Sequence, residues 1–249
     1  MRRIRIYHPG NLSTGLTVML ETNSSHHLLQ VLRKKVGERF WIFNGNGGEF
    51  EALLVSANKK TACIEIGAFH ARETESFLSI HLGQAISRGE RMDYAIQKAT
   101  ELGVAEITPL ITEFVQIQIA ENRTDKKIAH WQSIANSAAE QSGRCAVPVI
   151  HPPMIWNDWI THQNELKIIC CPRQKGQSIL NTDITPKNIS IAIGAEGGFS
   201  DREVASAFEN QFNALPLGPR VLRTETATVV ALTLLQEQFG DLNNRIGRN

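Results

Sequence analysis

From Leu78 onward, short apolar runs alternate with stretches of helical period. That alternation limits the chain to a largely parallel sheet covered by helices, because parallel strands need long crossovers and bury both faces. LSIHLGQAI, VAEITPLIT, PVIHP, LKIICCP, ISIAIG and ALPLG read as strands. RMDYAIQKATELG sets Met92, Ala95, Ile96, Ala99 and Leu102 on one helical face, with Gly103 as the stop. TDKKIAHWQSIANSAAEQSG aligns Ile128, Trp131, Ala135 and Ala138, with Thr124 as the expected cap. TETATVVALTLLQEQFG forms a closing helix.

The front of the chain follows a different grammar. In RRIRIYH, Ile4 and Ile6 fall on one face and Arg3 and Arg5 on the other. RFWIFNGNGGEFEALLVSA is a hairpin around a glycine-asparagine turn, TACIEIGAF a further strand, and SSHHLLQVLR a short helix. Several short strands with one helix predict a small barrel or sandwich. The polar stretch HARETES is the expected linker, which divides the chain into a β domain over 1–72 and an α/β domain over 73–249.

Charge and cysteine usage narrow the function classes. The net charge of +1 carries no global polyanion signature. The first 39 residues, however, hold seven basic side chains against Glu21 and Glu38. Arg2, Arg3, Arg5, Arg33, Lys34 and Lys35 are the candidates there for an anionic partner, the alternative being a solvated basic face. Cys63, Cys145, Cys170 and Cys171 have no zinc-ligand spacing, so no metal is expected. MRRIRIYHPG lacks the apolar core of a secretory leader, and no run approaches the ~18–20 residues of a membrane span. A cytoplasmic protein with no membrane partner is expected.

Two loops carry the chemistry. In ISIAIGAEGGFSDREVA a buried strand ends in Gly194, Ala195, Glu196, Gly197 and Gly198, and Ser200 with Glu203 forms a capping box for the next helix. Open α/β sheets bind ligands beyond the carboxyl ends of their strands. A Rossmann G-x-G-x-x-G and a Walker A lysine are both absent, which weighs against a dinucleotide oxidoreductase. LPLGPRVLRTETATVVAL brings a second strand end, with Leu217, Gly218, Arg220, Leu222 and Arg223 ahead of a helix capped by Thr224. The two loops form two walls of one pocket suited to a flat heterocycle. The arginines meet an anion or an electron-rich carbonyl, or else pair with Glu196 or Glu225.

The blocks IGAEGGFS, LGPRVLRTETA, QKATELGV, SRGERMDYAIQKA and EQSGR, of which LGPRVLRTETA is the most specific, resemble the RsmE-type ribosomal RNA methyltransferases of the SPOUT superfamily, and the resemblance spans essentially the whole chain. The resemblance implies an N-terminal PUA-like β-barrel that holds RNA and a C-terminal α/β domain with a trefoil knot. It implies a homodimer that methylates N3 of a uridine in 16S ribosomal RNA of the small subunit, with S-adenosylmethionine in the knotted loops. Carried over by motif, the cofactor loops fall on Cys171 and Pro172, on Gly194, Ala195, Glu196, Gly197 and Gly198, and on Leu217, Gly218, Arg220, Leu222 and Arg223. Ala195 departs from the proline usual in the family, which softens the turn by about 0.4–1 kcal/mol. For the reaction itself, Arg220 and Arg223 are expected to stabilise charge on the uracil oxygens. The proton acceptor is Glu196, Glu225 or water. A non-catalytic RNA-binding protein of the same fold, or an enzyme for another RNA, are the alternatives.

Overall fold

The computed structural model describes residues 3–58, 60–115, 121–162, 164–171 and 185–243. Two sequence candidates, Arg2 and Pro172, lie outside them. The chain divides into two compact units, Met1–Glu75 with Asn136–Val147, and Ser76–Ala135 with Pro148–Asn249. The first unit is therefore discontinuous, unlike the linear division at residue 72.

In the first unit, β1 (Arg5–Tyr7), β2 (Thr17–Met19), β3 (Arg39–Phe43), β4 (Glu49–Ala57) and β5 (Ala62–His70) form one sheet in the order β1-β3-β4-β5-β2. The expected hairpin is β3–β4, antiparallel with Phe40 opposite Ala52, while β1 joins β3 in parallel. The predicted helix is shorter than expected: α1 spans Thr22–His26 and continues as a wider turn over His27–Val31. Ile6, Ile42, Leu54 and Ile64 of the strands and Leu28 of the helical turn are fully buried in one core, and the alternation predicts Ile6 there.

The other face departs from expectation. Arg5 is buried rather than exposed. Its Nε donates to Glu49 at 2.7 Å, and its Nη atoms donate to the carbonyls of Ala139 and Arg144 at 3.0 and 2.8 Å. Glu49 is itself fully buried and accepts from Arg3 and Arg72 as well. The acceptors for Arg5 come from residues more than 130 positions away, which strand periodicity cannot register. Glu75, at the end of the supposed linker, accepts from the Cys145 and Ala146 N–H groups and from Arg144.

In the second unit β6 (Ser79–Ala85), β7 (Glu106–Ile111), β8 (Val149–Ile150), β9 (Met154–Ile155), β10 (Leu166–Ile169), β11 (Asn188–Ile193) and β12 (Asn213–Ala214) are all parallel, in the order β12-β10-β11-β6-β7-β8 with β9 also on β7. The strands predicted over 148–152 and 214–218 are only two residues each. The helices are α2 (Glu90–Glu101), α3 (Glu121–Ser142, from Asn136 on part of the first unit), α4 (Trp156–Trp159), α5 (Asp201–Glu209) and α6 (Thr224–Phe239). Helix α3 begins three residues before Thr124, so that threonine is not its cap. Helix α2 buries Met92, Ala95, Ile96 and Ala99 and packs on α6. Gln236 of α6 donates to the Leu102 carbonyl at 2.9 Å, satisfying one orphan acceptor where α2 stops. Trp156, Trp159 and Phe212 form the aromatic core under β7, β10 and β11. Gly83 makes room for it, since a Cβ there would meet Trp159 at 2.6 Å.

Candidate active site

β11 is five-sixths buried and ends at Ile193, so the backbone that follows emerges at the carboxyl edge of the sheet. The turn over 194–198 closes on itself: Ala195 and Gly198 bridge, with the Gly198 N–H donating to Ala195 O at 2.9 Å. Gly198 has φ +73°. A Cβ on Gly194 would meet the Gly198 backbone at 2.9 Å, so glycine is required there by close approach. Ser200 and Glu203 make the capping box the sequence predicts. Glu203 does more than cap, because its second oxygen accepts the Glu113 N–H at 2.7 Å.

The second wall is the loop ahead of α6. Gly218 turns it at φ +86°. Arg223, not Thr224, is the N-cap. Thr224 instead ties the two walls together. Its hydroxyl donates to Gly194 O at 2.7 Å and accepts from Gln84 Nε2 at 3.0 Å, while Thr228 donates to Gln84 Oε1 at 2.7 Å. Gln84, Thr224 and Thr228 are buried, so this network holds the glycine turn to β6 and α6 with its polar atoms satisfied.

Between the walls lies an open, largely apolar cleft. Gly194, Ala195, Glu196 and Gly198 line one side and Leu217, Arg220 and Leu222 another, with Ile193 and Ala227 adding apolar surface. The two loops do meet as the sequence predicts. Gly197 lines a neighbouring open cleft instead, with Arg88, Arg91, Glu113, Phe114 and Glu196. Glu196 is thus common to both. At the 166–171 strand end, Cys170 lines the first cleft, whereas Cys171 packs in the aromatic core. Burial, and then the Cys171 thiol, push Cys170 up to about 12, so it stays a neutral thiol. Arg223 and Glu225 are not in the lining of either cleft. One Glu225 carboxylate oxygen is buried without a hydrogen-bond partner.

The partner of Glu196 is Arg91, at 2.6 Å, with the Arg88 N–H at 3.3 Å. Among the described residues neither Arg220 nor Arg223 is paired with Glu196 or Glu225. Burial alone would raise the Glu196 carboxyl. Its own N–H, the Arg91 guanidinium and the Arg88 N–H outweigh that and hold it below the usual carboxylate value. A carboxylate so stabilised is a weak proton acceptor. Nothing in the sequence alone marks Arg91 or Gln84 as a site residue. The block SRGERMDYAIQKA contained Arg91, but nothing local connects it with a turn 105 residues later.

Of the basic candidates in the first unit, Arg33 and Lys35 are exposed, and Lys34 donates to Arg39 O. Arg3 is half-exposed over the Trp41 ring. Arg5 is interior and does not offer its charge to a partner.

The profile of an RNA methyltransferase domain matches residues 74–236, and that of an RNA methyltransferase PUA domain matches residues 20–67. The chain is 37% identical over 244 residues to Ribosomal RNA small subunit methyltransferase E of Buchnera aphidicola subsp. Schizaphis graminum, covering 96% of this chain and 98% of that one. It superimposes with TM-score 0.88 and 37% identity on a Ribosomal RNA small subunit methyltransferase E from Neisseria gonorrhoeae bound to S-adenosyl methionine, covering 96% and 99%. Lpg2936 from Legionella pneumophila, solved in complex with bound SAM, gives TM-score 0.94 and 41% identity over 97% and 100%. The mixed α/β fold, the two matched domains and the full-length identity make one assignment: the chain belongs to the ribosomal RNA small subunit methyltransferase E family.

Proposed function

We propose that this chain transfers the methyl group of S-adenosylmethionine to N3 of a uridine in 16S ribosomal RNA. The observation that carries this reading is the cleft beyond β11, walled by backbone on two sides and by Leu217 and Leu222 against a flat ring. The cofactor bound there supplies an electrophilic methyl group and a neutral thioether as leaving group. The sulfur–methyl bond breaks, an N3–carbon bond forms and the N3 proton leaves. Arg220, exposed at the cleft rim, meets the charge that develops on the uracil oxygens, and Arg223 adds to the field of the same loop. Glu196 orders the turn through Arg91. The proton goes to water, because Glu225 lines neither cleft. N3 lies on the pairing edge, so the base enters unpaired or flipped, through the neighbouring cleft, where Phe114 offers a 44% exposed ring for stacking.

The first unit takes the part of a PUA-like barrel, with Arg3, Arg33, Lys34 and Lys35, and Arg2 beyond the described residues, on the RNA backbone. The second is a knotted SPOUT domain working as a homodimer in the cytoplasm. Among the described residues no helix is long and apolar enough to cross a membrane.

The test is label transfer from S-adenosylmethionine to small subunits from cells lacking the protein and, separately, to naked 16S RNA, with reverse transcription to map the block. A stop at one uridine is expected. Cofactor binding without transfer to either substrate means a binding protein or another RNA target. Arg220→Ala should lower turnover by about 100-fold with cofactor affinity retained, and normal turnover in that variant removes Arg220 from the reaction.

A further inference from the structure

The parallel strands bring a second group of titratable side chains together near the amino ends of β6 and β7, away from the cofactor cleft. His81 of β6 and Glu106 of β7 are register partners, and His151 follows β8 on the other side of β7. Their ligand atoms all lie within 4.8 Å of one another. They line a polar cavity with ≈ 670 Å³ of empty space, together with Thr108, His162 and Asn164. We propose that His81, Glu106 and His151 bind a divalent transition-metal ion, with zinc as the best match.

Four observations support the site. The donor set is two imidazoles and one carboxylate, which suits zinc and leaves a coordination position open. Each ligand is half-buried, so an ion there would be reachable but partly shielded. His81 Nε2 lies 2.7 Å from Thr108 Oγ1, the kind of outer hydrogen bond that orients a ligating histidine. Trp159 Nε1 approaches the same nitrogen at 3.4 Å, at the outer limit of a hydrogen bond. The fourth is a further imidazole. The His162 ring is 6.3 Å from that of His81, and its Nδ1 is engaged with Trp159 O at 2.9 Å, leaving Nε2.

Geometry asks little movement. His151 Nε2 and Glu106 Oε2 are 2.7 Å apart. Tetrahedral zinc with bonds of ~2.1 Å spaces its ligand atoms by ~3.4 Å, so this pair would open slightly and His81 would close on it. Lys167, in the same cross-strand row as His81, reaches Ile160 O and the Phe212 ring and does not line the cavity.

The experiment is calorimetric titration of the chelator-treated full chain with zinc chloride, paired with cobalt(II) absorption, for the wild type, Glu106→Gln and His151→Ala. One equivalent should bind the wild type, with the intense visible bands of four- or five-coordinate cobalt. Both variants should weaken binding by about 10-fold or more and lose those bands, while S-adenosylmethionine affinity and the far-UV spectrum stay unchanged. Wild-type binding no tighter than in the variants overturns the proposal. So does tight binding that survives both substitutions, which would put the ion on other histidines. Loss of cofactor affinity in both variants also counts against it, because it would make the cluster structural.

Discussion

At single residues, backbone clearance decides the cofactor turn. Gly194 cannot carry a Cβ without moving the Gly198 backbone, whereas Gly218 has open space and only a positive φ to justify it. Gly194→Ala is therefore expected to weaken S-adenosylmethionine binding by at least about 10-fold, roughly 1.4 kcal/mol, in a calorimetric titration. Gly218→Ala meets no atoms and carries only left-handed strain of about 1–2 kcal/mol, so its loss should be the smaller. Glu196 gives a different kind of prediction. Its carboxyl is held below the usual value, so it is already ionised at neutral pH. Glu196→Gln should weaken cofactor binding by loosening the Arg91 tie, without moving the pH–rate profile. A shifted profile would make Glu196 a proton acceptor after all.

At the scale of elements, the site is held by side chains from β6 and α6, not by the turn alone. Thr224 satisfies both Gly194 O and Gln84 Nε2. Thr224→Val keeps the shape and strands two polar groups, at about 1–3 kcal/mol for each left buried and unsatisfied. Urea denaturation should show that loss, and cofactor affinity should fall with it, because the turn is then free to shift. Unchanged affinity would mean that the turn is rigid without its clasp. Here the sequence reading placed Thr224 correctly at the head of a helix and misassigned its task. A threonine before a helical run is usually a cap, and only the neighbouring strand reveals that its hydroxyl is already committed.

At the scale of the molecule, the discontinuous first unit is centred on Glu49 with Arg5, Arg3 and Arg72. Burial would raise the Glu49 carboxyl, but hydrogen bonds and charge from Arg5 and Arg72 together hold it below its ordinary value. Its folded pKa is thus below the unfolded one, about 4.3. The stabilisation is fully present above that unfolded value and is lost as pH falls through the folded one. Acid titration of the urea midpoint should fall in that window, and Glu49→Gln should remove this limb while costing about 3–5 kcal/mol at neutral pH, since Arg5 stays buried and unpaired. A fragment of residues 1–75 also lacks the Ala139 and Arg144 carbonyls that Arg5 uses and the Glu140 carboxylate that accepts the Tyr7 N–H. It should give poorly dispersed amide spectra, whereas the full chain should not.

What the sequence by itself determined was local or periodic. Apolar runs of four to six residues under helices specify the parallel sheet, because only burial on both faces tolerates them. Glycines after β11 and before α6 specify where backbone is bare. Capping at Ser200 and the stop at Gly103 follow from neighbours three or four residues away. What the tertiary structure decided were pairings across long separations: Arg91 with Glu196, Gln84 with Thr224, Arg5 with Glu49 and the 139–144 carbonyls, and His81 with Glu106 and His151. Each joins groups from different strands or loops. A charged or polar side chain is chosen by the partner it meets after the chain closes, and that partner leaves no mark in the residues beside it.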